Sequence, residues 1–410
     1  MKKIISFIKT ILTFIIIVIL IKIGIIMYNG IIKTDIVGEV QDFVSNITIS
    51  SGGIDENITT PEILEATLET ISPNNESIDY SNNKIDKYLY NQLDEYSKII
   101  YNAMETNKEN MKTGTYEINL GNKFSSLLSQ SNGGDLLGEY YQSAIEAYTY
   151  DNPDVFYIEF SKLYLNIETT TRGSKKTYKV FINAGNNTDY LTSEFPSKER
   201  IDAALNEIEM IKSYFVSHQK ADTYENIKLV HDYLVESIEY DQTISLPNIY
   251  NLYGALINKE SVCEGYAKAF KYLMDSMNIP CIIISGKATN SEGNTENHAW
   301  NYVQINNTWY AIDCTWDDPI LVGSGYLSNS SKYKYFLKGE DEFNKTHVPD
   351  GQFTEGGKVF EYPTLSQANY WHGGQRSEVR SQKPEAHRLP FHRHLLHRLL
   401  FSLTSIKKGE

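Results

Sequence analysis

The chain has 410 residues, a hydrophobic share of 41% and a formal net charge of -14, which leaves room for one large or two ordinary domains with a sizeable core. The acidic balance excludes a nucleic-acid partner, because phosphate binding is built on Lys and Arg. The cysteine count of 3 is odd, which excludes a complete disulfide framework and leaves at least one free thiol.

Met1-Lys2-Lys3 precedes a nearly unbroken apolar run from Ile4 to Met27, interrupted chiefly by Lys9, Thr10, Thr13 and Lys22. Residues 1–30 therefore read as a transmembrane anchor or a signal segment. The bulky Ile26-Met27-Tyr28-Asn29 offers no small-x-small cleavage pattern, and Lys9 and Lys22 can snorkel to the two interfaces, which favours an uncleaved, single-pass anchor in the cell membrane. With Lys2 and Lys3 held inside, the rest of the chain lies outside the cytoplasm. Cleavage would instead release it as a secreted protein.

Residues 31–80 are rich in Ser, Thr, Asn, Asp and Glu, with Ser51-Gly52-Gly53 and Ser72-Pro73-Asn74-Asn75 as breakers, the composition of a flexible polar stalk. Residues 81–215 read as an α+β lead-in subdomain. Ile85, Leu89, Leu93, Ile99, Ile100 and Met104 predict a helix over 85–109, and a second is expected over 138–150. Strands are expected over 154–159 and 177–182, separated by the turn-prone Thr171-Arg172-Gly173-Ser174. Helices follow over 198–216 and 224–237.

The chemistry-bearing residues fall in a core segment over 216–345. Ser261 with Glu264 three residues on forms a capping-box pattern, and Tyr266, Ala267, Phe270, Leu273, Met274 and Met277 then recur at helical spacing. Cys263 is thereby placed in the first turn of a helix, where free N–H groups and the positive end of the macrodipole favour a thiolate. The alternative is a buried helical cysteine with no chemistry. Cys281-Ile282-Ile283-Ile284-Ser285-Gly286 reads as an apolar strand, and Cys281 and Cys314 are expected as buried thiols.

Two further strands, 298–305 and 308–313, flank Asn306-Asn307, a pair that tolerates positive φ and suits a tight hairpin. That turn pairs Ile305 with Thr308 and carries the register to Trp300 opposite Asp313. His298 then lies diagonally from Asp313 on the same face, within side-chain reach. A thiol, an imidazole and a carboxylate are the parts of an activated-thiol catalyst, with Cys263 as nucleophile, His298 as base and Asp313 as the group that orients the base.

Tyr266, Trp300, Trp309 and Trp316 line a substrate groove or belong to the core. Asp317-Asp318-Pro319 reads as a capped turn, and no EF-hand spacing occurs, so neither a metal nor another cofactor is expected. Residues 346–371 complete the core. The tail over 372–410 is atypical: Arg376, Arg380, Arg388, Arg393 and Arg398 crowd it, whereas the preceding chain has only Arg172 and Arg200. Its His392-Arg393-His394-Leu395-Leu396-His397 tract invites a metal-binding reading, but the abrupt compositional change favours a non-native or disordered end.

Tyr253-Gly254-Ala255-Leu256 through Val262-Cys263-Glu264-Gly265-Tyr266-Ala267, with Asn297-His298-Ala299-Trp300-Asn301 and Asp313-Cys314-Thr315-Trp316-Asp317-Asp318-Pro319, resembles the transglutaminase-like superfamily in its bacterial, membrane-anchored cell-surface branch. The resemblance also takes in the preceding helix, His231-Asp232-Tyr233-Leu234-Val235 with Ile238-Glu239-Tyr240-Asp241, and is strong over about 220–340. It implies an α+β fold with a papain-like, transglutaminase-like core, a helix carrying the Cys packed on an antiparallel sheet carrying His and Asp. It also implies an acyltransferase or hydrolase acting on glutamine carboxamide or peptide amide bonds through Cys263, His298 and Asp313. A protein or cell-wall peptide is then the substrate, and the membrane is contacted through the N-terminal helix. The calcium sites of animal members find no matching residues. The competing reading is a non-catalytic surface module for binding or scaffolding.

Overall fold

The computed structural model describes residues 37–38, 40–41, 87–185, 189–318, 329–354 and 357–372. The expected anchor over 1–30, nearly all of the stalk and the tail from residue 373 on lie outside them. Among the described residues no helix is long and apolar enough to cross a membrane.

The lead-in segment opens with a short 3-10 turn over Tyr90–Gln92 and α1 (Glu95–Thr106). The helix expected over 85–109 is broken at Leu93, whose backbone is extended. The buried Asp151 carboxylate accepts the backbone N–H groups of Leu89 and Tyr90, so the first turn is capped by a distant side chain and α1 starts afresh at Asp94. The three-stranded antiparallel sheet comprises β1 (Ile118–Gly121), β2 (Leu163–Arg172) and β3 (Lys175–Ala184) in the order β1-β3-β2, and α2 (Gly133–Asp151) packs on α1.

The strand expected over 154–159 is absent: those residues form turns, with a single bridge from Ile158 to Leu191. Val155, Phe156, Tyr157 and Ile158 are buried in succession, so an apolar run that reads as a strand serves as a wedge of core. The partner that β3 takes is the largely exposed β2, whose Thr-rich sequence carries no apolar alternation.

Two helices then match their spacing: α3 (Lys198–Ser217), capped by Ser197 accepting from Arg200 N, and α4 (Thr223–Ser237), capped by Asp222 accepting from Tyr224 N. Ile227, Val230 and Leu234 put a fully buried stripe on α4. The short strands β4 (Glu239–Tyr240) and β5 (Glu260–Ser261) pair in parallel and lead into α5 (Cys263–Ser276).

A four-stranded antiparallel sheet completes the core in the order β8-β7-β6-β9, from β6 (Cys281–Thr289), β7 (Thr295–Ile305), β8 (Thr308–Ile312) and β9 (His347–Pro349). Helix α5 packs against β6, β7 and α4. Val303 and Ile305 join the core cluster that includes Phe270 and Leu273 of α5, whereas Trp300 and Tyr302 face a second cluster with Ile282, Ile284 and Phe343. Both faces of the sheet are covered, which is why β6 reads as a continuous apolar run. Helix on antiparallel sheet, preceded by a mixed lead-in, is an α+β architecture.

Candidate active site

Cys263 is the first residue of α5, with Val262 at the N-cap. The capping box expected from Ser261 and Glu264 does not form. Ser261 sits one residue too early, and its hydroxyl donates to the Ile249 carbonyl at 2.8 Å; Glu264 accepts from Lys268 at 2.6 Å. The first turn of α5 therefore gets no side-chain acceptor from its N-cap, and its dipole is directed at Cys263. Cys263 is half-buried, whereas Cys281 and Cys314 are buried, and all three are free thiols.

The segment between β4 and β5 returns to the residues just ahead of the thiol: Asp241 N donates to Ser261 O, and Val262 N donates to Ile249 O, both at 3.0 Å. Asp241 organises this loop, accepting from Thr243, Ser245 and Leu246 backbone N–H groups. Hydrogen bonds from Thr243 and then Leu246 hold its carboxyl low, at about 2. Gly265 lets the start of α5 approach the returning chain, since a Cβ there would lie 2.0 Å from Ser261 Oγ and 2.8 Å from Ile249 O.

Asn306 and Asn307 adopt positive φ of 51° and 60°, the pair of left-handed residues that a tight type I′ turn requires. The observed register runs from Ile305 opposite Thr308 to Asn301 opposite Ile312, as the hairpin spacing predicts, and the ladder ends there, one residue before Asp313. His298 Nε2 and Asp313 Oδ2 are 2.8 Å apart, and both side chains are almost wholly buried. Asp313 Oδ1 accepts from the Thr315 and Trp316 N–H groups.

Burial alone would lower the basicity of His298. The Asp313 charge and hydrogen bond, and then contact with Cys263, more than offset it and raise the imidazole to about 10. Burial also opposes the charge on Asp313, yet His298 and then His347 hold its carboxyl well below the usual carboxylate range. With Asp313 on the Nε2 side of the His298 ring, Nδ1 is the nitrogen left for the thiol. The arrangement sets a base, itself held by a carboxylate, in contact with a thiol.

His347 is absent from the sequence reading. From β9 its Nε2 reaches Asp313 Oδ2 at 3.1 Å, so one carboxylate oxygen serves two imidazoles. Its ring is stacked on Phe343 at 4.0 Å, and Thr346 Oγ1 lies 2.8 Å from its Nδ1. No local pattern marks His347, a lone histidine in a three-residue strand. Among the described residues, His298, Asp313 and His347 bring three ligand-type atoms within 4.8 Å of one another. At 2.8 and 3.1 Å these contacts are hydrogen bonds that satisfy the three groups mutually.

Tyr240 was also passed over as a site residue. Its pairing with Ser261 in β4–β5 sets it beside the start of α5. Burial, and next the charge of Cys263, push its hydroxyl up to about 12, so it stays a donor. Of the four aromatics considered for a groove, Tyr266 and Trp300 are core, and Trp309 and Trp316 are half-buried. The Asp317-Asp318 pair is more than a capped turn. Asp317 is buried against His231 Nε2 at 3.1 Å and accepts Tyr335 N, and Asp318 accepts the Tyr266 hydroxyl at 2.6 Å. A cavity of about 350 Å³ bordered by Tyr302, Glu340, Asp350 and Tyr362 shares no lining residue with Cys263, His298 or Asp313.

Residues 209–314 match the family model of the transglutaminase-like superfamily. The kyphoscoliosis peptidase of Homo sapiens is 23% identical over 199 residues, covering 44% of this chain and 28% of the relative. The protein of the same name from Mus musculus is 24% identical over 145 residues, 31% of this chain and 21% of the relative. The chain thus spans about a quarter of the length of these curated relatives. Solved structures similar to it include a TGase, 16% identical with a TM-score of 0.27, covering 42% of this chain and 50% of that one. Another is the periplasmic domain of TgpA from Pseudomonas aeruginosa, 12% identical with a TM-score of 0.21, covering 38% and 63%. The likeness is carried by the family match, which falls on residues 209–314, the segment that contributes the helix and antiparallel strands of the α+β core.

Proposed function

We propose that this chain is an extracytoplasmic thiol acyltransferase or hydrolase, acting on glutamine carboxamide or peptide amide bonds. Cys263 is the nucleophile, His298 the general acid and base, and Asp313 the orienting carboxylate. The observation that carries the reading is His298 Nε2 held 2.8 Å from the buried Asp313 Oδ2, with the same imidazole in contact with a thiol at a helix N-terminus.

The Cys263 thiolate attacks the carbonyl carbon, and the oxyanion is met by the Cys263 N–H and the Tyr240 hydroxyl. Collapse breaks the C–N bond as the His298 imidazolium delivers its proton to the departing ammonia or amine, leaving a thioester. His298, now neutral, takes a proton from an incoming amine or water, which attacks the thioester and releases the acyl group with the thiolate restored. An amine gives cross-linking and water gives hydrolysis, so exclusion of water from the thioester decides between them. The substrate is a protein or cell-wall peptide, met outside the membrane that the N-terminal segment anchors.

Trapping tests this. Wild-type protein incubated with glutamine-containing proteins, cell-wall peptides and a labelled amine forms a mass-detectable thioester on Cys263, and Cys263→Ala forms none. Iodoacetamide at mildly acidic pH modifies Cys263 well ahead of Cys281 and Cys314. Equal reactivity of the three thiols would sink the proposal.

A further inference from the structure

We propose that His347 is a positioning residue for this site: by donating its Nε2–H to Asp313 Oδ2 it fixes the carboxylate that in turn orients His298. The inference rests on the acyl-transfer reading above, and it deepens that reading from three residues to four.

The tautomer of His347 follows from its neighbours. A carboxylate oxygen only accepts, so the nitrogen 3.1 Å from Asp313 Oδ2 must carry a hydrogen. The opposite nitrogen, Nδ1, lies 2.8 Å from the Thr346 hydroxyl, which itself donates to the Phe343 carbonyl at 3.4 Å. The hydrogen on Nε2 is therefore set by Asp313. The ring plane is fixed separately, by stacking on Phe343 with an interplanar angle of 21° and by edge contacts with Trp300, Tyr335 and Trp316. His347 is thus a donor with its ring plane held by neighbours and its Nε2 aimed at one oxygen.

Asp313 needs such a donor. Its Oδ1 is held by the N–H groups of Thr315 and Trp316, so without His347 its Oδ2 would be fixed by His298 alone. His298 is the group that must shift between thiol and substrate during the reaction, and it cannot also be the anchor of its own carboxylate. The titratable groups facing His347 are Asp313 from the turn after β8, His298 from β7 and Tyr335; Phe343, Trp300 and Trp316 supply uncharged walls. Burial lowers the basicity of His347 despite Asp313, which keeps it in the neutral, donating form.

The test measures the iodoacetamide alkylation rate of Cys263, which needs no known substrate, in wild type, His347→Phe, His347→Gln, Asp313→Asn and the double variant Asp313→Asn/His347→Phe. Phe preserves the stack but removes the donor. Gln restores an N–H donor. We expect His347→Phe to slow alkylation by about 10- to 100-fold, the size of effect usual for partners that orient a reactive group, and His347→Gln to stay within about threefold of wild type. If His347 acts through Asp313, the double variant reacts no more slowly than Asp313→Asn alone. Wild-type rates for His347→Phe, a Gln variant as impaired as Phe, or losses that add in the double variant would each overturn the inference. Should His347→Phe fail to fold, the Gln variant and its rate against Asp313→Asn decide the matter. A wild-type Cys263 no more reactive than Cys281 would instead defeat the acyl-transfer reading, a separate outcome.

Discussion

Gly286 stands opposite His298 in the β6–β7 ladder and opposite Pro349 in the β6–β9 ladder. A Cβ at Gly286 would lie 2.3 Å from Val348 O and 2.6 Å from the edge of the Trp300 ring. The missing side chain lets β9 close onto β6, with Trp300 lying across the gap. Gly286→Ala should therefore cost about 1–3 kcal/mol by overpacking and disturb His347 most. Urea unfolding gives the first number, and the Cys263 alkylation rate should fall with it. An unchanged midpoint and rate would show that β9 has slack.

The His298–Asp313 pair carries a pH signature. The His298 value in the folded chain, about 10, lies above its ordinary 6.5. The stabilisation is then fully present below about 6.5, declines above it, and is lost as pH rises through about 10. Asp313→Asn removes the cause, so wild type should exceed the variant by about 3 kcal/mol at pH 6, and the gap should narrow as pH rises through about 10. Denaturation midpoints across that range check the sign, and a gap that widens with pH would contradict it.

His231 should behave as a buried keystone. Its Nδ1 faces Asp232 and its Nε2 faces Asp317, each at 3.1 Å. Burial disfavours its charge, but these two carboxylates overcome that and raise it. Asp317 N in turn donates to Asp313 O. His231→Leu leaves the Asp317 carboxylate buried without its imidazole partner, at a cost of about 3–5 kcal/mol. Thermal unfolding reads the loss, and restoration by the double change His231→Leu/Asp317→Asn would identify the stranded charge as its cause.

Tyr240→Phe separates binding from chemistry. The hydroxyl beside Cys263 is lost while the ring remains, so acylation by an activated ester such as p-nitrophenyl acetate should slow by about 100-fold with little change in KM. Stopped-flow release of nitrophenolate measures it. A normal burst would exclude Tyr240 from stabilising the oxyanion.

Legibility in the sequence followed locality. Asn306-Asn307 fixes a turn, the turn fixes the register, and the register brings His298 to the face of Asp313; every step uses residues within one hairpin. The buried stripes of α4 and α5 were legible for the same reason. What escaped depends on distant partners. Asp151 caps the chain at Leu89 and Tyr90 and breaks a helix whose periodicity runs on without interruption. Ser261 has the right type for a cap, yet the returning chain at Ile249 claims its hydroxyl. The Thr-rich β2 owes its place to ladder bonds with β3, which leave no apolar trace. His347 reaches Asp313 only because Gly286 admits β9.

Among the described residues β9 lies at the far side of its sheet and pairs with β6 alone of the strands, which also sets an order in time. A chain synthesised from its N-terminus presents Cys263 first, then His298 and Asp313, and His347 last. Until that final short strand docks, Asp313 lacks its second imidazole. The surroundings of Asp313 are therefore complete only when the last edge of the sheet closes.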